Sequence, residues 1–217
     1  LKDADATAIY GSRGANGVIL ITTRKGQAGK TKYNLNLNSG FSEVGHMPEM
    51  LKTQEYLKMR REALANDGIS EPGPADFDLN GTWDQDRYTN WQKELIGGKA
   101  KTFNLQGSVS GGSEKTQFLF KGGFQRETTV FPGEFYYQRG SGLFNLNHRS
   151  QDDKFHLSFS GNYGTDDNNL MSTDLAGKAL WIAPNAPKLL NEDGSLNWAD
   201  GTWDNPLSYT EGKYNGK

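Results

Sequence analysis

The stretch Lys101-Thr102-Phe103-Asn104-Leu105-Gln106-Gly107-Ser108-Val109-Ser110-Gly111-Gly112-Ser113-Glu114-Lys115-Thr116-Gln117-Phe118-Leu119-Phe120-Lys121-Gly122-Gly123-Phe124-Gln125 decides the fold. Phe103, Leu105 and Val109 alternate with Asn104, Gln106, Ser108 and Ser110. After the break at Gly111-Gly112-Ser113-Glu114, Phe118, Phe120 and Phe124 alternate with Gln117, Lys121 and Gln125. Period-two alternation sorts apolar and polar side chains onto opposite faces of a strand. A Gly-rich break between two such runs reads as a hairpin.

Outward from this hairpin the pattern repeats. Tyr33, Leu35, Leu37 and Phe41 oppose Asn34, Asn36, Asn38 and Gly40, and Tyr136, Phe144 and Leu146 oppose Arg139, Ser141, Asn145 and Asn147. Phe155, Leu157, Phe159 and Tyr163 oppose His156, Ser158, Ser160 and Asn162. Each segment has the length that a tilted membrane strand needs. Each polar face is rich in Asn, Ser and Gln, as a water-filled lumen prefers. Connection lengths alternate: Gly111–Glu114 and Arg149–Lys154 are short, whereas the stretches after Phe41, from Glu127 to Glu134 and after Thr165 are longer. Tight turns on one side and large loops on the other are a barrel trait.

Composition agrees. Hydrophobic residues make up only 34% of 217, yet Gly numbers 27 and aromatics reach 12%. A strand wall with lipid on one side and water on the other combines these features. The longest aliphatic run, Val18-Ile19-Leu20-Ile21, is far too short for a membrane-spanning helix. Lys and Arg total 24 against 26 Asp and Glu, so the net charge of −2 gives nucleic acid no basic surface. With no Cys, disulfides, thiolate zinc sites and Cys nucleophiles are excluded. Leu1-Lys2-Asp3-Ala4-Asp5 has neither a basic start nor an apolar core, so the chain reads as a mature or internal piece.

The connections carry their own signals. Ala4–Tyr10 reads as a short helix or turn, Val18–Thr23 as a buried strand, and Arg24–Lys30 as a charged link. Met50–Ala65 has the spacing of an amphipathic helix, the region of Trp91 and Leu95-Ile96 a shorter one, and residues 174–183 another, stopped at Ala183-Pro184. Trp83, Trp91 and Trp181 are candidate external-loop contacts, since exposed indoles stack on sugar rings or fill a partner's pocket. The competing reading anchors loop indoles, Trp198 and Trp203 included, in a small core of the loop's own.

Chemistry-bearing motifs are few. Asp76-Phe77-Asp78-Leu79-Asn80-Gly81 matches the first half of a calcium loop, with Asp76, Asp78 and Asn80 as the oxygen ligands. Its twelfth position is Arg87 instead of Glu, and a polar Asx turn explains the same residues. Gly29-Lys30-Thr31 lacks the earlier Gly of a phosphate loop, since that position is Arg24. His46, His148 and His156 have no metal spacing. No residue selects an enzymatic mechanism, and no cofactor is expected apart from the weak calcium candidate.

The run Leu1-Lys2-Asp3-Ala4-Asp5-Ala6-Thr7-Ala8-Ile9-Tyr10-Gly11-Ser12-Arg13-Gly14-Ala15-Asn16-Gly17-Val18-Ile19-Leu20-Ile21-Thr22-Thr23 closely resembles the end of the plug domain in SusC-like, TonB-dependent outer-membrane transporters. Met50–Leu57, Asn104–Thr116 and Gly142–His148 resemble the same family. The resemblance implies a fold that is mainly all-β: about five strands of a large antiparallel transmembrane β-barrel, with the end of an amino-terminal plug and short loop helices. It implies residues 1–29 as plug and 30–217 as barrel strands and external loops. The family's barrel has about 22 strands around a plugged lumen, and five strands cannot close a wall that needs at least about eight. The chain therefore reads as a segment of a longer protein.

The implied function is active import of bulky nutrients, glycan oligomers or peptides, across the Gram-negative outer membrane. The implied partners are a SusD-like lid lipoprotein, TonB, the rest of the barrel and outer-membrane lipid. Tyr10, Arg13 and Asn16 are the plug residues expected to face the lumen or wall. Two other readings stay open: a secreted β-sheet glycan-binding module, and a barrel segment held as a client of outer-membrane assembly machinery.

Overall fold

The computed structural model describes residues 8–14, 18–19 and 24–210. Five long strands form one sheet: β1 (Gly29–Ser42), β2 (Ala100–Gly112), β3 (Thr116–Thr128), β4 (Tyr136–Arg149) and β5 (His156–Asn169). Their order, β1-β2-β3-β4-β5, is that of an up-and-down meander. All five expected strands are present; β5 begins at His156, one residue after Phe155, and the other four contain their alternating runs. Three helices occupy the long connections: α1 (Thr53–Asn66), α2 (Trp91–Ile96) and α3 (Leu175–Trp181). No helix among the described residues is long and apolar enough to cross a membrane, which leaves crossing by strands open.

Contacts divide the chain into two compact units, residues 1–34, 107–122 and 142–163, and residues 35–106, 123–141 and 164–217. The first holds the two short turns and the strand segments that flank them. The β2–β3 turn depends on glycine: Gly112 has φ +137°, and a Cβ there would collide with the Thr116 carbonyl. The β4–β5 turn is set by Ser150, whose hydroxyl donates to Asp152 at 2.6 Å and accepts from the Phe155 amide at 2.9 Å. Lys115 of one turn donates to Asp153 of the other at 2.8 Å.

The second unit contains the helices and a core of its own. Asn90 caps α2 by accepting from the Lys93 amide at 3.1 Å, and Asp174 caps α3 by accepting from Gly177 at 2.9 Å. Glu55 accepts from the Lys52 amide at 2.9 Å at the start of α1. Trp91, Leu95, Ile96, Ala179, Ala186 and Trp203 form the buried cluster, with Trp83, Val130 and Ile182 packed on it. The indoles meet at 5.5 Å (Trp91–Trp203) and, edge to face, at 5.9 Å (Trp83–Trp203).

Of the amino-terminal expectations, residues 8–10 are helical and Gly11–Gly14 form a 3-10 turn. The buried strand expected over Val18–Thr23 falls mostly outside the described residues, and Ile19 within them is 90% exposed.

Candidate functional site

The sheet inverts the usual economy of a water-soluble protein. Tyr33, Leu35 and Phe41 of β1 are 77%, 78% and 70% exposed, and Phe120, Phe159 and Tyr163 are likewise uncovered. These belong to the alternating apolar set, so one face of each strand presents hydrocarbon outward. Within the first unit the rings touch in a row across three strands, Phe120 to Phe144 at 4.6 Å and Phe144 to Phe159 at 5.5 Å. An exposed apolar surface spread over five long strands marks an interaction with something apolar.

Polar groups bound that face. In the second unit Arg126 lies over the Tyr136 ring at 4.4 Å, and the Tyr136 hydroxyl donates to Asp167 at 3.0 Å. Gln138 donates to the same carboxylate at 3.1 Å. By parity Arg126 shares a face with Phe124 within this unit, an amphipathic edge of the kind found at a membrane–water interface. The opposite face is bonded side chain to side chain: Asn34 to Ser108 at 3.4 Å, and Ser158 to Asn147 at 2.8 Å.

On that polar face, in the first unit, residues 24–28 contribute to a recess of about 590 Å3. Arg24, Lys25, Lys30, Lys32 and Lys121 line it with Ser108 and Ser110, and no carboxylate lies among its lining residues. Gly26 comes so close to Phe118 that a Cβ would collide with its backbone. The charged link is thereby laid flat against the strand backbone. Alternation alone did not single out this recess, although Lys30 and Lys32 keep the parity of Asn34.

The other expected site residues separate. Tyr10 is 41% exposed and Arg13 is exposed on the Gly11–Gly14 turn; Asn16 lies outside the described residues. Trp91 is 3% exposed, and its N–H donates to the Ala183 carbonyl at 2.8 Å, so it serves the loop core and offers no surface contact. Trp83 packs on that core and donates to Thr202 at 3.1 Å. Trp91 thus takes the loop-core reading, because an indole gains more from burial beside Leu95 and Trp203 than from water, whereas Trp83 is half-buried. Trp181 is 88% exposed.

The calcium candidates face an internal cation. Arg60 donates through Nε to Asp78 and through Nη2 to Asp76, each at 3.0 Å, and the Tyr56 hydroxyl donates to Asp78 at 3.0 Å. Asn80 turns instead toward the Gly73 carbonyl and the Thr82 amide. The guanidinium bridges both carboxylates, and no cluster of three or more His, Cys, Asp or Glu suited to a metal occurs among the described residues. Burial first, and the Asp78 carboxylate second, push the Tyr56 hydroxyl up to about 12. Sequence reading missed this clamp, although Tyr56 and Arg60 stand four residues apart on one helix face.

No family model matches the chain. It is 30% identical to the TonB-dependent receptor P26 of Formosa agariphila over 96% of its length, covering 21% of that protein. It is 31% identical to the TonB-dependent receptor SusC of Bacteroides thetaiotaomicron over 97% of its length, covering 20% of that protein. The chain belongs to the SusC-like TonB-dependent receptors. It spans about a fifth of the length of these curated relatives. The RagAB peptide importer in its closed-closed state has the same fold: TM-score 0.65 at 23% identity, covering 91% of this chain and 25% of that one. The SusC-like sheet is part of an outer-membrane β-barrel wall. The relatives are receptors, not enzymes.

Proposed function

We propose that the full-length protein is an active importer of bulky nutrients, glycan oligomers or peptides, which works with a SusD-like lid lipoprotein and is energised through TonB. The observation that carries this reading is the two-faced sheet. Its exposed apolar face and hydrogen-bonded polar face suit a wall between lipid and a polar lumen, in a chain that aligns with TonB-dependent receptors over nearly its whole length.

Residues 1–29 are the end of the plug and residues 30–217 the first strands and external loops. The link at 24–28, pressed onto the polar face, supports this division because a plug must enter the barrel on its lumen side. Tyr10, Arg13 and Asn16 then face the lumen or wall from the plug.

Deleting the gene should abolish uptake of fluorescent oligosaccharides or peptides by whole cells, and dissipating the proton-motive force should do the same in the wild type. Unchanged uptake in both cases would sink the importer reading.

A further inference from the structure

Three cations stand on the apolar face of the sheet at its loop end. Lys101 is the second residue of β2 and Arg126 the third from the end of β3, so each lies at the end of its strand away from the Gly111–Glu114 turn. The Lys101 amide donates to the Thr128 hydroxyl at 2.8 Å, and the Phe103 and Phe124 rings lie 6.2 Å apart, which sets the two strands in register. In that register Lys101 and Arg126 are diagonal neighbours, and by parity both share the face of Phe103 and Phe124. Lys99, just ahead of β2, joins them: its Nζ is 5.1 Å from the centre of the Phe41 ring. Arg126 lies over the Tyr136 ring at 4.4 Å, so two of the three cations are held against rings of the apolar set.

Their charge is unanswered. All three are exposed, and among the described residues no carboxylate oxygen comes within 4.0 Å of their charged nitrogens. Asp167 shares this face from β5, but it accepts from the Tyr136 hydroxyl and from Gln138. The cations of the short turns differ: Lys115 and Arg149 pair with Asp153, and Lys154 with Asp152. The rest of a barrel would not supply the missing partner either. β2 and β3 already have both of their sheet neighbours, so closure adds strands beyond β1 and β5 and nothing over this face. A plug in the lumen lies behind the sheet.

Basic side chains among exposed rings at the end of an apolar face match the headgroup level of a bilayer, where their stems stay in hydrocarbon and their heads reach the polar layer. Long loops mark the outer end of a barrel, so the layer is that of the outer leaflet. A phosphate monoester brings a charge of about −1.5 to −2 and three strong acceptor oxygens, more than one cation can answer. We propose that Lys99, Lys101 and Arg126 bind the phosphate monoester headgroup of an outer-leaflet lipid, with Phe41, Phe103 and Phe124 against the upper part of its acyl chains. The inference rests on the reading of the apolar face as the one that meets lipid, and adds a chosen lipid to a face that otherwise asks only for hydrocarbon.

The test is native mass spectrometry of the purified full-length receptor in mixed micelles, titrated with bisphosphorylated lipid A or with phosphatidylcholine. Lipid A should be retained at least about tenfold more tightly than phosphatidylcholine. Replacing the three cations together, Lys99→Gln, Lys101→Gln and Arg126→Gln, should abolish that preference. Lys58→Gln, Arg61→Gln and Lys188→Gln together remove the same charge from the exposed surface of the loops and should leave the preference intact. Lys101→Gln alone should give an intermediate loss, which decides the matter if the triple variant does not fold. Heat-dependent migration on gels reports a folded barrel in every variant. Equal retention of both lipids by the wild type, or an unchanged preference in the folded triple variant or in Lys101→Gln, would overturn the proposal. Displacement of lipid A by equimolar inorganic phosphate would make the ligand a free anion and overturn it too. A heat-modifiable receptor without the preference would refute the site alone, whereas a receptor with no barrel band would refute the wall reading and the site with it.

Discussion

The sheet and the loop helices of this chain use similar apolar residues in opposite ways. Leu35 and Leu37 on β1 are 78% and 61% exposed, whereas Leu57, Leu95 and Leu175 in the long connections are fully buried. On the proposed reading lipid is the complement of the first set, so the sheet would need no second layer over that face. Water is the complement of the loops, so they must bury a core of their own, built on Trp91 and Trp203. Two solvents thus act on one polypeptide, and each region reads correctly only against its own.

The strongest way to break this contrast is to put charge on the apolar face. Phe120→Arg should cost about 2–4 kcal/mol in a bilayer, measured as loss of the heat-modifiable folded form of the full-length receptor. A sheet bathed in water would tolerate that change. Leu95→Ala should cost a comparable amount, about 2–5 kcal/mol, but only in the loops: protease sensitivity should rise there while the barrel keeps its heat shift.

A smaller effect sharpens the loop side. Arg60→Met leaves Asp76 and Asp78 without their guanidinium and should destabilise the loops by about 1–2 kcal/mol, reduced because Arg60 is about one-third exposed. Near-ultraviolet circular dichroism during unfolding reads this directly. The same clamp predicts a pH response. The hydroxyl of Tyr56 ionises higher in the folded loops than in the unfolded chain, about 12 against 10. Its contribution is therefore complete below pH 10 and lost as pH rises toward about 12. Tyr56→Phe should flatten that part of the stability profile. The smallest effect belongs to the turns, where Lys115→Gln removes an exposed ion pair with Asp153 and should leave barrel stability unchanged at physiological salt.

Much of the sheet was legible because period-two alternation survives whichever solvent covers the apolar face. Strand ends were less so. β5 runs on to Asn169 through Thr165-Asp166-Asp167-Asn168, where both faces are polar and alternation has no contrast to show. The loop core was legible only as a general expectation. Trp91 and Ala183 are 92 positions apart, and no local pattern announces that the N–H of one meets the carbonyl of the other. The partner of Asp76 and Asp78 was hidden for the same reason, since Arg60, which neutralises them, comes from α1. Trp181 differs: its exposure follows from how α3 packs, and composition alone does not tell it from Trp91.

The central claim is that one face of these strands meets lipid and the other meets water. Single cysteines can be placed at positions 33 to 38 of the full-length receptor, in a background stripped of any other Cys, spin-labelled in bilayers and tested for access to oxygen and to a water-soluble nickel chelate. Oxygen should reach labels at Tyr33, Leu35 and Leu37, and the chelate those at Asn34, Asn36 and Asn38, in strict alternation. Equal access of the chelate to all six positions would contradict the account.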